Sequence, residues 1–105
     1  DYLVGLGGDL LPLGPALFDY NFNWSSVERF KVIQDKPGII KINILKSINS
    51  DEGDEIIAER IRRVFESCFQ NQLEVSVCFV EMIELTRVGK FRCLEQNLNI
   101  REYWQ

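Results

Sequence analysis

The sequence contains no histidine at all. Without an imidazole, Ser–His and Cys–His nucleophile pairs are excluded, and so is every zinc site that uses a His ligand. Any chemistry in this chain must therefore come from lysine, arginine, carboxylates or backbone groups.

Cysteine is also scarce, with Cys68, Cys78 and Cys93 as its three occurrences. The count is odd, no pair has Cys-x-x-Cys spacing, and each residue lies within an apolar pattern. We expect reduced thiols in the core and a reducing compartment, which makes the cytoplasm the expected location.

Long apolar runs and basic patches are missing as well. No apolar run approaches the roughly 20 residues needed to cross a bilayer, and residues 1–13 lack the pattern of a signal peptide. The net charge is -4, with basic residues scattered among acidic ones, whereas nucleic-acid binders carry a basic patch. We expect neither nucleic acid nor a membrane as a partner.

The 105 residues, of which 46% are hydrophobic, suit one compact domain with its own core. The chain begins at Asp1, and its only methionine is Met82. We therefore interpret residues 1–105 as a single domain excised from a longer parent protein.

The first third of the chain predicts two hairpins with a short helix between them. Residues 2–13 are apolar and broken by Gly7-Gly8-Asp9, which suits a tight turn. Gly14-Pro15 then starts a short helix over about 16–21. Alternating residues predict strands over 27–35 and 39–46, joined by a turn at Asp35-Lys36-Pro37-Gly38.

The rest of the chain predicts one main helix followed by strands. Apolar residues recur at helical spacing over about 52–69. Alternation returns in a strand over 73–79 that continues extended to Leu85, and a loop over 86–89 leads to a last strand over 90–96. One helical turn is expected in the tail. The predicted fold class is α+β: a small mixed or antiparallel sheet with one main helix packed on a face, preceded by a short hairpin and short helix.

Composition and periodicity give no function, but three local segments do carry a resemblance. They are Thr86 followed by Gly89-Lys90-Phe91-Arg92, the strand Phe30–Asp35 with its Ile-Gln ending, and Gly14-Pro15-Ala16 after a glycine hairpin. In their order along the chain, these segments resemble the C-terminal domain of the adenylate-forming (AMP-binding) enzymes, in the branch of phenylacetate-CoA ligase and CapK-like proteins of capsular polysaccharide biosynthesis. The commoner superfamily motif has Pro-Arg before the Thr, where this chain has Glu84-Leu85.

The resemblance implies a lid domain, with residues 1–14 as a hinge-proximal hairpin and 15–105 as the body of the lid. Such a lid closes over a large N-terminal domain of the same parent chain, which binds ATP, Mg²⁺ and a small carboxylic acid. The family's catalytic lysine falls on Lys90, its loop on Thr86, Gly89 and Arg92, and its hinge on Asp1. The acyl group passes to CoA or another acceptor, and the isolated fragment is expected to be inactive.

Alternative interpretations remain open for these residues. Lys90 also suits an exposed lysine at a hairpin end, and Arg92 a solvated strand residue. The whole domain also suits a small regulatory or protein-interaction module, in which Trp24, Tyr103 and Trp104 form an apolar docking surface.

Overall fold

The computed structural model describes residues 1–17, 24–83 and 93–104. The described residues form six strands in two sheets, together with one main helix. The α+β class expected from the sequence is confirmed, and so is the position of a single long helix between two pairs of strands.

The chain opens with an antiparallel hairpin of strands β1 (Tyr2–Val4) and β2 (Leu10–Pro12). Its turn places Gly8 at φ 86°, a conformation that glycine adopts without the penalty of a side chain. The short helix α1 (Gly14–Leu17) follows. It begins at Gly14, two residues before the predicted start, and residues 18–21 of the predicted helix lie outside the described residues.

The central hairpin joins β3 (Val27–Lys36) to β4 (Ile39–Lys46) in antiparallel pairing. A 3₁₀ turn over Trp24–Ser26 leads into β3. Gly38 has φ 76°, as the Pro-Gly turn predicts. On β4 the side chains of Ile40, Ile42 and Ile44 are buried and alternate with more exposed positions, so one face of the sheet belongs to the core.

The main helix α2 spans Asp54–Cys68. It begins two residues after the predicted start, because the Glu52 carboxylate binds other side chains and Gly53 is extended at the N-cap (φ -69°, ψ 152°). Its end follows from the left-handed backbone of Gln70 and Asn71, at φ 53° and 60°. The helix turns one apolar stripe inward, at Ile57, Ile61, Val64 and Phe65.

Two outer strands complete the main sheet. Strand β5 (Glu74–Phe79) runs parallel to β4, and strand β6 (Leu94–Gln96) runs parallel to β3. The resulting order is β5-β4-β3-β6. The sheet is therefore mixed, with the antiparallel hairpin at its centre and parallel strands at both edges.

The sequence placed the ends of the outer strands differently. Strand β5 does not continue through residues 80–83, where Glu81 lies in a bend. Cys93 also lies in a bend, so the described part of the last strand starts at Leu94, and residues 90–92 lie outside the described part. The helical turn predicted for the tail is present as a 3₁₀ turn over Ile100–Tyr103.

The core lies between α2 and one face of the main sheet, and the N-terminal hairpin adds Leu3, Leu11 and Leu13 to it. Burying side chains of this size stabilises the fold by roughly 1.5–3 kcal/mol each. Cys68 and Cys93 are half-buried and pack against this core. Cys78 is also half-buried but is not among the residues that pack on the core. The expectation of reduced thiols stays a prediction.

No helix in the described part of the chain has both the length and the apolar composition needed to cross a bilayer.

Candidate functional site

The segment with the lysine motif connects the two edges of the main sheet. Thr86, Gly89, Lys90 and Arg92 all fall in residues 84–92, which lie outside the described residues. The structure describes the two ends of this segment, Ile83 and Cys93. The surroundings of these ends define where the candidate site is attached to the fold.

The upstream end leaves β5 and turns toward β3. The backbone N–H of Val80 donates to the carbonyl of Ile44 at 2.9 Å, which prolongs the contact with β4. Ile83 is buried, and its carbonyl accepts a long hydrogen bond of 3.5 Å from Nη1 of Arg29. An apolar anchor and a cation at the start of β3 therefore hold this end.

The downstream end is fixed on the same strand. Val32 donates its N–H to the carbonyl of Cys93 at 2.7 Å, and Leu94 then pairs with Val32 in the parallel ladder. Strand β6 has three residues, none of them fully buried. Directional polar contacts therefore add to the packing of Leu94 on the core in setting its position.

One of these contacts is an ion pair across β3 and β6. Nζ of Lys31 lies 3.1 Å from Oε1 of Glu95. The pKa of the Glu95 carboxyl is lowered, first by the hydrogen bond from the Asn97 amide and then by the bond from Lys31. Both partners are partly exposed, so the pair contributes alignment more than stability.

A second set of contacts is an amide clamp made by Gln34 and Gln96. The Gln34 side chain is fully buried. Its Oε1 accepts from the Val4 N–H at 2.8 Å and from Nε2 of Gln96 at 2.7 Å, and its Nε2 donates to the carbonyls of Val4 at 2.8 Å and Lys36 at 3.0 Å. All four hydrogen-bonding positions of this amide are filled, so its orientation is fixed.

The amide clamp links β1 to β6 through β3. Nε2 of Gln96 also donates to the carbonyl of Tyr2 at 3.0 Å. The sequence places Gln34 in the Ile-Gln ending of a strand and does not indicate that its side chain joins three strands. A signal was available, since alternation puts Gln34 on the same face as Val32, which is buried.

Asp1, the expected hinge residue, lies immediately before β1. Its carbonyl accepts from the Leu13 N–H at 3.0 Å, and the residue is exposed. Because the amide clamp holds β1, Asp1 lies directly before a firmly packed strand.

A charged network lies before the start of α2. Oε1 of Glu52 accepts from Nη1 of Arg60 at 3.0 Å, and its carboxylate also binds Nη2 of Arg60 and the hydroxyl of Ser26. The Arg60 hydrogen bond, followed by that of Ser26, lowers the Glu52 pKa to about 2, and the same pairing raises the pKa of Arg60. The helix predicted over about 52–69 did not indicate this pair. In the structure Glu52 lies before α2, where its carboxylate can reach both Arg60 and Ser26.

The residues of the alternative docking surface are partly brought together. Tyr103 is half-buried and Trp104 is 63% exposed, and Trp104 packs edge-to-face on Tyr2. The side chain of Trp24 lies outside the described residues. Glu59 and Arg63, four residues apart, form an ion pair on the solvated face of α2, with Nε of Arg63 at 3.1 Å from Oε1 of Glu59.

Metal ligands are sparse in the described ranges. Residues 1–17, 24–83 and 93–104 contain no group of three or more carboxylate or thiol side chains able to hold a metal ion. These ranges therefore offer no candidate site for the Mg²⁺ expected from the resemblance.

The arrangement defines a class: an α+β domain whose motif-bearing segment bridges two edges of a mixed sheet. A family described as "CapK C-terminal domain" matches residues 17–97, most of the chain. The chain belongs to this family, and the resemblance to CapK-like C-terminal domains is confirmed. No curated protein and no solved structure shows significant similarity to the chain.

Proposed function

We propose that this chain is the C-terminal lid of an AMP-forming ligase that activates a carboxylic acid with ATP. The observation that carries the proposal is membership of the CapK C-terminal domain family over residues 17–97. That range includes Thr86, Gly89, Lys90 and Arg92, so the lysine motif falls within the family's own bounds rather than in an appended tail.

Lys90 is the proposed catalytic residue. When a carboxylate oxygen attacks the α-phosphorus of ATP, negative charge accumulates on the reacting groups. An ammonium delivered to that point offsets the charge and orients both reactants. A compact charge on a flexible stem suits this task better than a planar guanidinium.

Thr86, Gly89 and Arg92 are proposed as the loop around Lys90. Gly89 carries no side chain, which allows the backbone to approach a ligand closely. Asp1 is proposed as the hinge before β1. The large domain of the parent chain is proposed to hold ATP, Mg²⁺ and most of the acid.

The anchoring of residues 83 and 93 supports a lid. Arg29 contacts the carbonyl of Ile83, and Val32 contacts the carbonyl of Cys93. Both anchors belong to β3, and the amide clamp joins β3 to β1. A rotation at Asp1 would therefore carry the anchors of the lysine segment with the whole domain, as delivery on closure requires.

The proposal leaves two routes for transfer of the acyl group from the acyl-adenylate. Transfer to the thiol of CoA, in a second lid orientation, is one route, and transfer to a sugar in capsule assembly is another. The parent enzyme would work in the cytoplasm, where ATP and CoA are available.

A protein-interaction module is the second candidate function. It is favoured by one observation, the exposure of Trp104 beside Tyr2. In that case the aromatic surface would bind a separate protein, and Lys90 would have no catalytic role.

The proposal is tested with the full-length parent protein and a matched truncation that lacks residues 1–105. ATP–pyrophosphate exchange is measured with a panel of small carboxylic acids. We expect acid-dependent exchange in the full-length protein, its loss in the truncation, and none from the 105 residues alone. Exchange that survives the truncation would contradict a lid role.

A further inference from the structure

A small cleft lies between the turn of the N-terminal hairpin and the end of the chain. It has a volume of about 240 Å³. We call it the junction cleft, because Tyr2 in its lining directly follows Asp1, the proposed hinge residue. Its lining residues are Tyr2, Gly8, Asp9, Leu10, Tyr103 and Trp104.

Aromatic rings form its walls. The rings of Tyr2 and Trp104 have centroids 6.0 Å apart and are nearly perpendicular, at 89°. Tyr2 remains 38% exposed and Trp104 63% exposed. Such rings make most of their favourable contacts only when covered, and grouped exposed aromatics often mark a binding surface.

The walls are held in place before any ligand arrives. Tyr2 belongs to β1, and its carbonyl accepts from Gln96 of the amide clamp. On the other side, the Asn99 side chain caps the 3₁₀ turn through the Arg101 N–H at 3.1 Å, and Trp104 N–H donates to the Arg101 carbonyl. These bonds fix the backbone that carries both walls, so little backbone conformational entropy is lost on binding.

The chemistry of the junction cleft favours a cation. The faces of tyrosine and tryptophan rings carry negative potential and attract ammonium and guanidinium groups. Asp9 adds an exposed carboxylate to the same lining. Guanidinium also stacks flat on aromatic rings while it binds a carboxylate, so arginine fits this lining best.

We propose that the junction cleft binds an arginine side chain of the large domain of the same parent chain. This rests on the part of the proposed function that makes the chain a C-terminal domain, and it does not depend on Lys90. With Asp1 as the proposed hinge, the large domain would meet the lid beside Tyr2. A short tether gives an effective concentration on the order of millimolar, at which one side chain suffices.

The first test compares backbone hydrogen exchange in the full-length protein and in the 105-residue chain. We expect peptides covering residues 2–10 and 99–104 to exchange at least about tenfold more slowly in the full-length protein. Trp104→Ala should abolish that difference and Trp104→Phe should retain most of it. Ile48→Ala, at a side chain that is 94% exposed elsewhere on the domain, should leave it unchanged.

The second test asks for charge selectivity with the 105-residue chain alone. N-acetyl-arginine methylamide should shift the Trp104 indole resonance progressively, N-acetyl-glutamate methylamide should not, and Asp9→Asn should weaken the arginine response severalfold. Equal responses to both probes would overturn the proposal.

Three other results would also overturn it. The first is equal hydrogen exchange in the full-length protein and the 105-residue chain. The second is protection from hydrogen exchange in the isolated chain that rises with its concentration, which would reveal binding by a second copy. The third is protection that appears only when a separate protein is added. The ligase proposal fails separately, through the exchange assay with ATP and pyrophosphate. If the full-length protein shows the slowed hydrogen exchange but no ATP–pyrophosphate exchange, the arginine site in the junction cleft stands and the ligase proposal fails.

Discussion

Gln34 pairs with both backbone groups of Val4. The Val4 N–H donates to Oε1 of Gln34, and Nε2 of Gln34 donates to the Val4 carbonyl, each at 2.8 Å. Both residues are fully buried. An amide side chain thus continues the edge of β1 as a strand would, and it joins the N-terminal hairpin to the main sheet.

Replacing Gln34 with leucine should lower the free energy of unfolding by at least about 2 kcal/mol, since each buried polar group left without a partner costs about 1–3 kcal/mol. Gln96→Leu is the matched control. Its side chain is only partly buried and the Tyr2 carbonyl can bind water, so we expect about 1 kcal/mol or less. Urea unfolding of both variants measures the difference, and equal losses would contradict the role assigned to Gln34.

The network of Glu52, Arg60 and Ser26 should make stability depend on pH in the acid range. The folded-state pKa of Glu52, about 2, lies below its ordinary value of 4.5. A lowered pKa stabilises the fold above the unfolded-state value, and this contribution is lost as the pH falls from 4.5 toward 2.

We therefore expect Glu52→Gln to be less stable than the original protein at about pH 6, with a gap that narrows by about pH 3. Denaturant unfolding at several pH values measures this gap. Glu59→Gln, which alters a surface pair on α2, serves as the control. A gap of constant size across the acid range would show that the carboxylate pairing is not its source.

Gly38 should resist substitution. Its φ is 76°, and an added Cβ would overlap the Leu6 side chain and lie 3.0 Å from its Cα. Strain of this kind costs on the order of 1–3 kcal/mol. We expect Gly38→Ala to lower the free energy of unfolding by about 1–3 kcal/mol, measured by thermal or urea unfolding.

Gly7→Ala provides the comparison for Gly38, because nothing lies within 4 Å of a Cβ built at Gly7 and its φ is not in the left-handed region. That change should stay within about 0.5 kcal/mol of the original stability. Similar stability for the two variants would mean that Leu6 moves aside and that the turn adapts.

Periodic residues account for the part of the fold that the sequence predicted. The alternation of Ile40, Ile42 and Ile44 fixed the buried face of β4, and the Pro37-Gly38 pair fixed its turn. The spacing of Ile57 and Ile61 fixed the inner face of α2. In each element the apolar residues repeat often enough to distinguish the strand period of about 2 residues from the helix period of about 3.6.

The remaining features depend on contacts between distant residues. Strand β6 is too short to show a period, so its parallel pairing with β3 could not be read from the sequence. Gln34 and Arg60 are polar, and polarity alone suggests exposure. Gln34, however, binds Val4 in a distant strand, and Arg60 binds Glu52, which also binds Ser26. The site residues Thr86, Gly89, Lys90 and Arg92 fall outside the described residues and stay predictions that rest on the motif.

The most direct measurement of the central claim is ATP–pyrophosphate exchange by the full-length protein with Lys90→Ala. We predict a loss on the order of 10²-fold or more in rate, with an unchanged unfolding transition. Lys90→Arg should recover only part of the rate, because its planar group fits poorly, and Lys41→Ala, at an exposed lysine on β4, should have no effect. Exchange by Lys90→Ala at the original rate would contradict the assignment of this chain as a catalytic lid.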